Sequence, residues 1–366
     1  MRLDNNQFAF FAMVKAGLWE QEARLSQYGE LDFSKIYQLA EEQAVVGLVS
    51  AGIEHVVDVK IPQEIVLQFV GATIQIEHRN AAMNKFIVAI MSQLKEAGVD
   101  SALIKGQGVA QCYERPMWRS CGDVDLLLND VNYEKGKRFI GKISESGSKE
   151  YGFNKEYQTT IGGWTLELHG SLRSGLSTAF NKGVDEIQRD ICDNHNVRYW
   201  EVEGDKIPLP EENDDVLVIF THFIKHFYKG ELGIRQICDW CRLLYTYRDT
   251  LNYGLLESRI RKMGLMSEWK AFYNLASRYL GMPDLDSRLM IQDSRFDKKA
   301  DRIMGLVLES GNFGHNKDLS YRSRFSGLTY KIVAVWRRFL DFCRFAAIFP
   351  LDAPLFFVTY VMGKVK

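Results

Sequence analysis

Residues 103–128 read Leu103-Ile-Lys-Gly-Gln-Gly-Val-Ala-Gln-Cys-Tyr-Glu-Arg-Pro-Met-Trp-Arg-Ser-Cys-Gly-Asp-Val-Asp-Leu-Leu-Leu128. The stretch opens on an apolar run that ends at a glycine, as a short buried strand does. It closes on a second such run, Val124–Leu128, entered through Asp123 and Asp125. Residues two apart on a strand share a face. The two carboxylates therefore converge on one side while Val124 and Leu126 enter the core. Carboxylates held together repel unless a positive charge lies between them. A hard divalent cation, Mg²⁺ or Mn²⁺, is the expected answer, with substrate phosphates completing its shell. Between the strands, Gly106 stands at a strand-to-helix turn, where a bare backbone admits a phosphate and helix-start N–H groups face it. Lys105 and Gln107 flank that glycine, and Arg119 lies four residues before Asp123. Lys105, Gly106, Gln107 and Arg119 are the candidate phosphate ligands.

Further along, Trp164-Thr-Leu-Glu-Leu-His169 alternates strictly and reads as a third strand. Its polar face carries Thr165, Glu167 and His169. A carboxylate in the middle of a half-buried strand needs a partner, and a metal shared with Asp123 and Asp125 supplies one. Three carboxylates can hold two ions about 4 Å apart, which clamp the attacking and leaving oxygens of an in-line displacement. His169 stays open between the cleft and a structural hydrogen bond.

Outward from this core the pattern is helical. Residues 1–98 carry a polar cap at Asp32 before a run of helix formers. A long amphipathic run follows from Gln63 to Ala97, with Ile65, Phe69, Ala72 and Ile76 on one face. Residues 99–210 alternate strands with helices. Residues 211–366 return to helices, with Asn213 or Asp214 as the cap of the first and Gly233 opening the next. The expected fold is α+β, a small mixed-sheet core flanked by N-terminal and C-terminal helical regions.

Composition narrows the class. Of 366 residues, 46% are hydrophobic and 25% charged, the balance of a globular protein, and the net charge of −1 shows no overall basic excess of the kind a nucleic-acid binder normally carries, which leaves room only for a local basic groove. Six scattered cysteines suit free thiols in a reducing compartment. Cys238 and Cys241 form a CxxC in an apolar helical run without a second pair to complete a zinc site, so helix packing is expected of them. The N-terminus lacks the basic and apolar segments of a signal peptide, and the expected location is the cytoplasm. The apolar stretch 342–362 is broken by Pro350, Asp352 and Pro354 into halves shorter than the roughly 20 residues that span a bilayer. A docked final helix is expected there, with peripheral membrane contact as the minor reading. Packing is likewise expected of Tyr113, of His222 and His226, and of an intrahelical pair between Arg235 and Asp239.

Taken together, Leu-Ile-Lys-Gly at 103–106, Arg119 through the Asp-x-Asp-Leu-Leu of 123–127, and Glu-Leu-His at 167–169 resemble an uncharacterised bacterial nucleotidyltransferase family. That family belongs to the DNA polymerase β-type nucleotidyltransferase superfamily. The likeness is tight over about 70 residues and loose around His222 and 233–239. The turn reads Lys-Gly-Gln where the superfamily usually has Gly-Ser or Gly-Gly. The resemblance implies a Mg²⁺-dependent enzyme that moves a nucleoside monophosphate from a triphosphate, ATP first, to an acceptor hydroxyl on a small molecule, tRNA or protein. In that reading Asp123, Asp125 and Glu167 are catalytic and hold the metal, and Lys105, Gly106, Gln107 and Arg119 bind nucleotide. The alternative is a nucleotide-binding or sensor module that keeps the fold without turnover.

Overall fold

Asp4 accepts the amide of Gln7, and the Gln7 side chain accepts the amide of Asp4. This reciprocal cap starts α1 (Asn5–Trp19). The computed structural model describes residues 3–151, 155–285, 294–316 and 327–365. Asp32 caps α2 (Phe33–Glu42) through the amides of Ser34 and Lys35, and α3 (Val46–Ile53) follows. α1 and α3 cross with their backbones in contact: a Cβ on Gly52 would lie 2.0 Å from the Met13 carbonyl oxygen. The long run expected after Pro62 is α4 (Gln63–Glu96), a single helix of 34 residues.

The sheet is built next. β1 (Ala102–Ile104) leads through the short α5 (Gly106–Ala110) to β2 (Asp123–Leu127) and α6 (Asp130–Ile143). β3 (Ser146–Tyr151), β4 (Glu156–Ile161) and β5 (Trp164–His169) complete it in the order β1-β2-β5-β4-β3. Only β2 and β5 run parallel; the other pairs are antiparallel. Gly162 and Gly163, both at positive φ, turn β4 into β5. α7 (Thr178–Cys192) and a separate hairpin, β6 (Val197–Val202) with β7 (Asp205–Pro210), end this part of the chain.

The remainder is helical: α8 (Glu212–Lys229), α9 (Ile234–Thr246), α10 (Tyr253–Met263), α11 (Met266–Leu280), α12 (Ser294–Ser310), α13 (Gly327–Ala346) and α14 (Asp352–Val365). The architecture is thus α+β, a small mixed sheet flanked by helices. The cap of α8 is Glu211, two or three residues earlier than expected. Asn213 and Asp214 lie inside the helix, where Asp214 and Asp215 are buried and receive Arg259 and Arg198, each at 2.5 Å. These pairs tie α8 to α10 and to β6.

Two cores result. On one face of the sheet Val124, Leu126, Leu166 and Leu168 are buried with Met83, Ile87, Tyr133 and Ile140 of α4 and α6. Each such aliphatic side chain contributes about 1.5–3 kcal/mol. On the other face Ile104 and Leu127 join a larger core made by α1–α3 together with α8–α12. Helices from both ends of the chain share it: Trp19 Nε1 donates to the Leu280 carbonyl at 2.6 Å, and Gln43 bridges the Val307 carbonyl and the Ile234 amide.

The C-terminal apolar stretch divides as its prolines suggest. Phe345, Ile348, Phe349 and Phe356 are buried, and Phe345 and Phe349 pack on Phe227 and Tyr228. Trp336, Leu351, Leu355 and Val358 are more than half exposed. Among the described residues no helix is long and apolar enough to cross a membrane.

Candidate active site

The parallel pairing of β2 with β5 sets Asp123 beside Thr165, Asp125 beside Glu167 and Leu127 beside His169. Because strand side chains alternate, Asp123, Asp125, Glu167 and His169 share the face opposite Val124 and Leu126. They line a cleft of about 220 Å³. Its floor is the sheet together with Lys105, Gly106 and Glu156, and its far wall is α8 and α9, through His222, Lys225, His226, Lys229 and Arg235. A larger polar depression, about 470 Å³, lies beyond the ends of β2 and β5. There Lys155 and Arg173 are already paired with Asp130 and Asp185, and among the described residues no acidic cluster of the cleft's kind forms.

The tightest group is Asp125, Glu167 and His169, with one ligand atom from each within 4.8 Å of the others. Asp123 lines the same cleft outside that group. Asp125 Oδ1 is the hub: Lys105 Nζ donates to it at 2.7 Å, and His169 Nε2 lies 2.6 Å away. His169 also stands 3.5 Å from Glu167 Oε2, so it both faces the cleft and makes the hydrogen bond. Glu167 Oε1 accepts from Gln158 Nε2 of β4 at 2.8 Å.

Charge follows from these contacts. Burial opposes ionisation of Asp125, but the Lys105 ammonium and the His169 hydrogen bond outweigh it and hold Asp125 well below the usual carboxylate range. Asp123 moves the other way, raised by the charge of Asp125 and then by burial, with Lys105 and Arg235 offsetting part. Burial, then Asp125, pushes Glu167 up to about 8. Carboxylates whose like charges resist ionisation are a fitting seat for a divalent cation, and oxygen donors suit a hard ion.

Lys105 reaches the hub through an unusual backbone. Its φ of 61° and ψ of −151° lie where glycine alone sits without strain, at a cost of about 1–3 kcal/mol. Gly106 follows at φ 44°, and a Cβ there would meet Cys121 Sγ at 3.2 Å. The turn therefore packs directly under the loop that enters β2.

Two expected phosphate ligands already have protein partners, although Arg119 also lines the cleft. The Gln107 side chain is buried and donates to Asn80 at 2.7 Å, away from the cleft. Arg119 grips Asp239 of α9 with two bonds, 2.8 and 2.6 Å, and Tyr113 Oη donates to the same carboxylate. The expected Arg235–Asp239 pair is therefore absent. Arg235 instead donates to the Ser120 carbonyl at 2.6 Å. Cys238 and Cys241 are fully buried in α9, as helix packing requires, and burial pushes both thiols up.

Sequence reading passed over Glu156, Gln158, Lys225 and Lys229. The signal was present in α8: His222, Lys225, His226 and Lys229 fall at spacings of three, one and three, a polar stripe on an otherwise apolar helix.

A mixed sheet with an Asp-x-Asp strand beside a second acidic strand, opening on a cleft walled by helices, has the form of a nucleotidyltransferase core. Residues 29–281 match the family described as "Uncharacterised nucleotidyltransferase", and the chain belongs to it. Among solved structures, it is similar to the crystal structure of an antigenic nucleotidyltransferase-like protein from Paracoccidioides brasiliensis. That likeness has 13% identity and a TM-score of 0.34, covering 57% of this chain and 95% of that one. No curated protein matches.

Proposed function

We propose that this nucleotidyltransferase is an active, divalent-metal-dependent enzyme that transfers a nucleoside monophosphate, from ATP first, to an acceptor hydroxyl. The observation that carries this is the convergence of Asp123, Asp125 and Glu167 from paired strands onto a cleft whose opposite wall is cationic. Asp123, Asp125 and Glu167 would hold Mg²⁺ or Mn²⁺, with His169 beside them. The ion, when bound, would polarise the α-phosphate and screen the triphosphate from the carboxylates. Lys105 and Gly106 would border the triphosphate at the turn. Glu167, on the other strand, faces the acceptor. There it takes the proton of the attacking hydroxyl as that oxygen bonds to the α-phosphorus and the bond to pyrophosphate breaks. Six free cysteines support a cytoplasmic setting.

One observation favours a second reading. Asp125 is already ion-paired with Lys105 and hydrogen-bonded to His169, as suits a nucleotide-binding module that does not turn over. Transfer of label from α-labelled nucleotides to components of a cell extract, with Mg²⁺ or Mn²⁺, separates the two. In the enzyme, Glu167→Gln keeps nucleotide affinity and loses transfer by about 10²–10⁴-fold, whereas Asp123→Asn loses both. Binding without transfer by wild type under every condition would leave the module.

A further inference from the structure

We propose that Lys225 of α8 and Arg235 of α9 bind the terminal phosphates of the nucleoside triphosphate and hold the pyrophosphate as it leaves. This rests on reading the cleft as a nucleotidyltransferase site. The argument begins with what the other cations are doing. Lys105 is bound to Asp125, and Arg119 to Asp239. Lys225 and Arg235 line the same cleft, yet neither forms an ion pair among the described residues. Arg235 spends one nitrogen on the Ser120 carbonyl, and its buried Nε has no hydrogen-bond partner. The guanidinium lies 5.6 Å from the centre of the Phe313 ring, against which His226 also packs at 5.2 Å.

Lys225 and Arg235 are both half-buried, and withdrawing unpaired positive charge from water even in part is costly. Burial, then Lys105 and Lys229, pulls Lys225 down to about 8; burial, then Arg119, lowers Arg235. His222, which lines the same cleft, is held well below its usual range by burial and then Lys105, so it remains neutral. A polyanion relieves this arrangement where a neutral ligand does not. The placement also suits the reaction. Arg235 feels the field of Asp123, and Lys225 that of Asp125 and Glu156, so the two cations face the carboxylates across the cleft. When the bond from the α-phosphorus breaks, its electron pair and new charge pass to pyrophosphate, and fixed cations stabilise that charge.

Inorganic tripolyphosphate, a Mg²⁺–ATP analogue and adenosine, each titrated by calorimetry in Mg²⁺, test the assignment. Lys225→Met is expected to weaken tripolyphosphate and the analogue by about tenfold or more, the worth of one charge-assisted hydrogen bond, and to leave adenosine unchanged. Lys225→Arg should recover most of the loss. The ligand-free thermal midpoint of Lys225→Met should equal or exceed wild type, since an unpaired, partly buried charge is removed; a purely structural lysine would lower it. Wild-type tripolyphosphate affinity in Lys225→Met, or no binding of tripolyphosphate by wild type, overturns the assignment. Intact polyphosphate binding with no label transfer sinks the enzymatic reading alone.

Discussion

Arg119 shows how one side chain can belong to the site's frame while its sequence position suggests a ligand. It sits just before the Asp-x-Asp strand, as a phosphate-binding arginine would. Yet its guanidinium is buried and matched to Asp239 by two parallel bonds, with Tyr113 on the same carboxylate. Removing one partner of a buried pair leaves the other charge uncompensated, at about 3–5 kcal/mol. Arg119→Ala is therefore expected to lower the unfolding free energy by that amount in denaturant titration. A loss of nucleotide affinity with unchanged stability would restore the ligand role. Lys105 is the converse case: from a strained backbone at φ 61° and ψ −151°, its ammonium reaches Asp125 inside the cleft.

Helix α8 links the cleft to the helical body. One stripe carries His222, Lys225, His226 and Lys229 to the cleft, and its first turn holds Asp214 and Asp215 in buried ion pairs. Near its end Tyr228 donates to Glu268 of α11 at 2.6 Å. Glu268 is fully buried, its other oxygen has no hydrogen-bond partner, and burial, then the charge of Asp352, pushes it up to about 8. Its folded pKa thus stands above the ordinary value of 4.5. A group raised in this way contributes stability that is complete below the unfolded value and is lost as pH rises through the folded one. Glu268→Gln keeps the acceptor for Tyr228 and cannot ionise. Its thermal midpoint relative to wild type should therefore improve as pH rises from about 4.5 to about 8 and level off above that. Parallel melting curves for the two proteins across that range would contradict the assignment.

Across the whole molecule, the cleft lies where the sheet meets the body of helices, and helices from both ends of the chain build that body. A ligand that contacts both sides stabilises the folded state by mass action, about 2.7 kcal/mol at a hundredfold excess over Kd. Mg²⁺ with a non-hydrolysable ATP analogue should raise the thermal midpoint, and EDTA should abolish the rise, because the triphosphate and three carboxylates repel without the ion. An equal rise with and without EDTA would mean that the carboxylates hold no metal.

Local chemistry was enough to find the chemical half of the cleft. Alternation on 123–127 and 164–169 put the carboxylates on one face, since the side-chain period of a strand is a property of two neighbouring residues. Propensity and capping likewise marked α2, α4 and α9. β1, β2 and β5 were legible in the same way, whereas β3, with the sequence Ser-Gly-Ser-Lys-Glu-Tyr, carries too few apolar residues to announce itself. What needed the tertiary structure was every choice between partners. Arg119 finds Asp239 across 120 positions, Asp239 thereby releases Arg235, and Lys105 bends to Asp125. An arginine four residues from an aspartate on a helix reads as a pair until a better-shaped, less solvated partner arrives from elsewhere in the chain. Such competition is decided by burial and geometry, which spacing along the sequence does not contain.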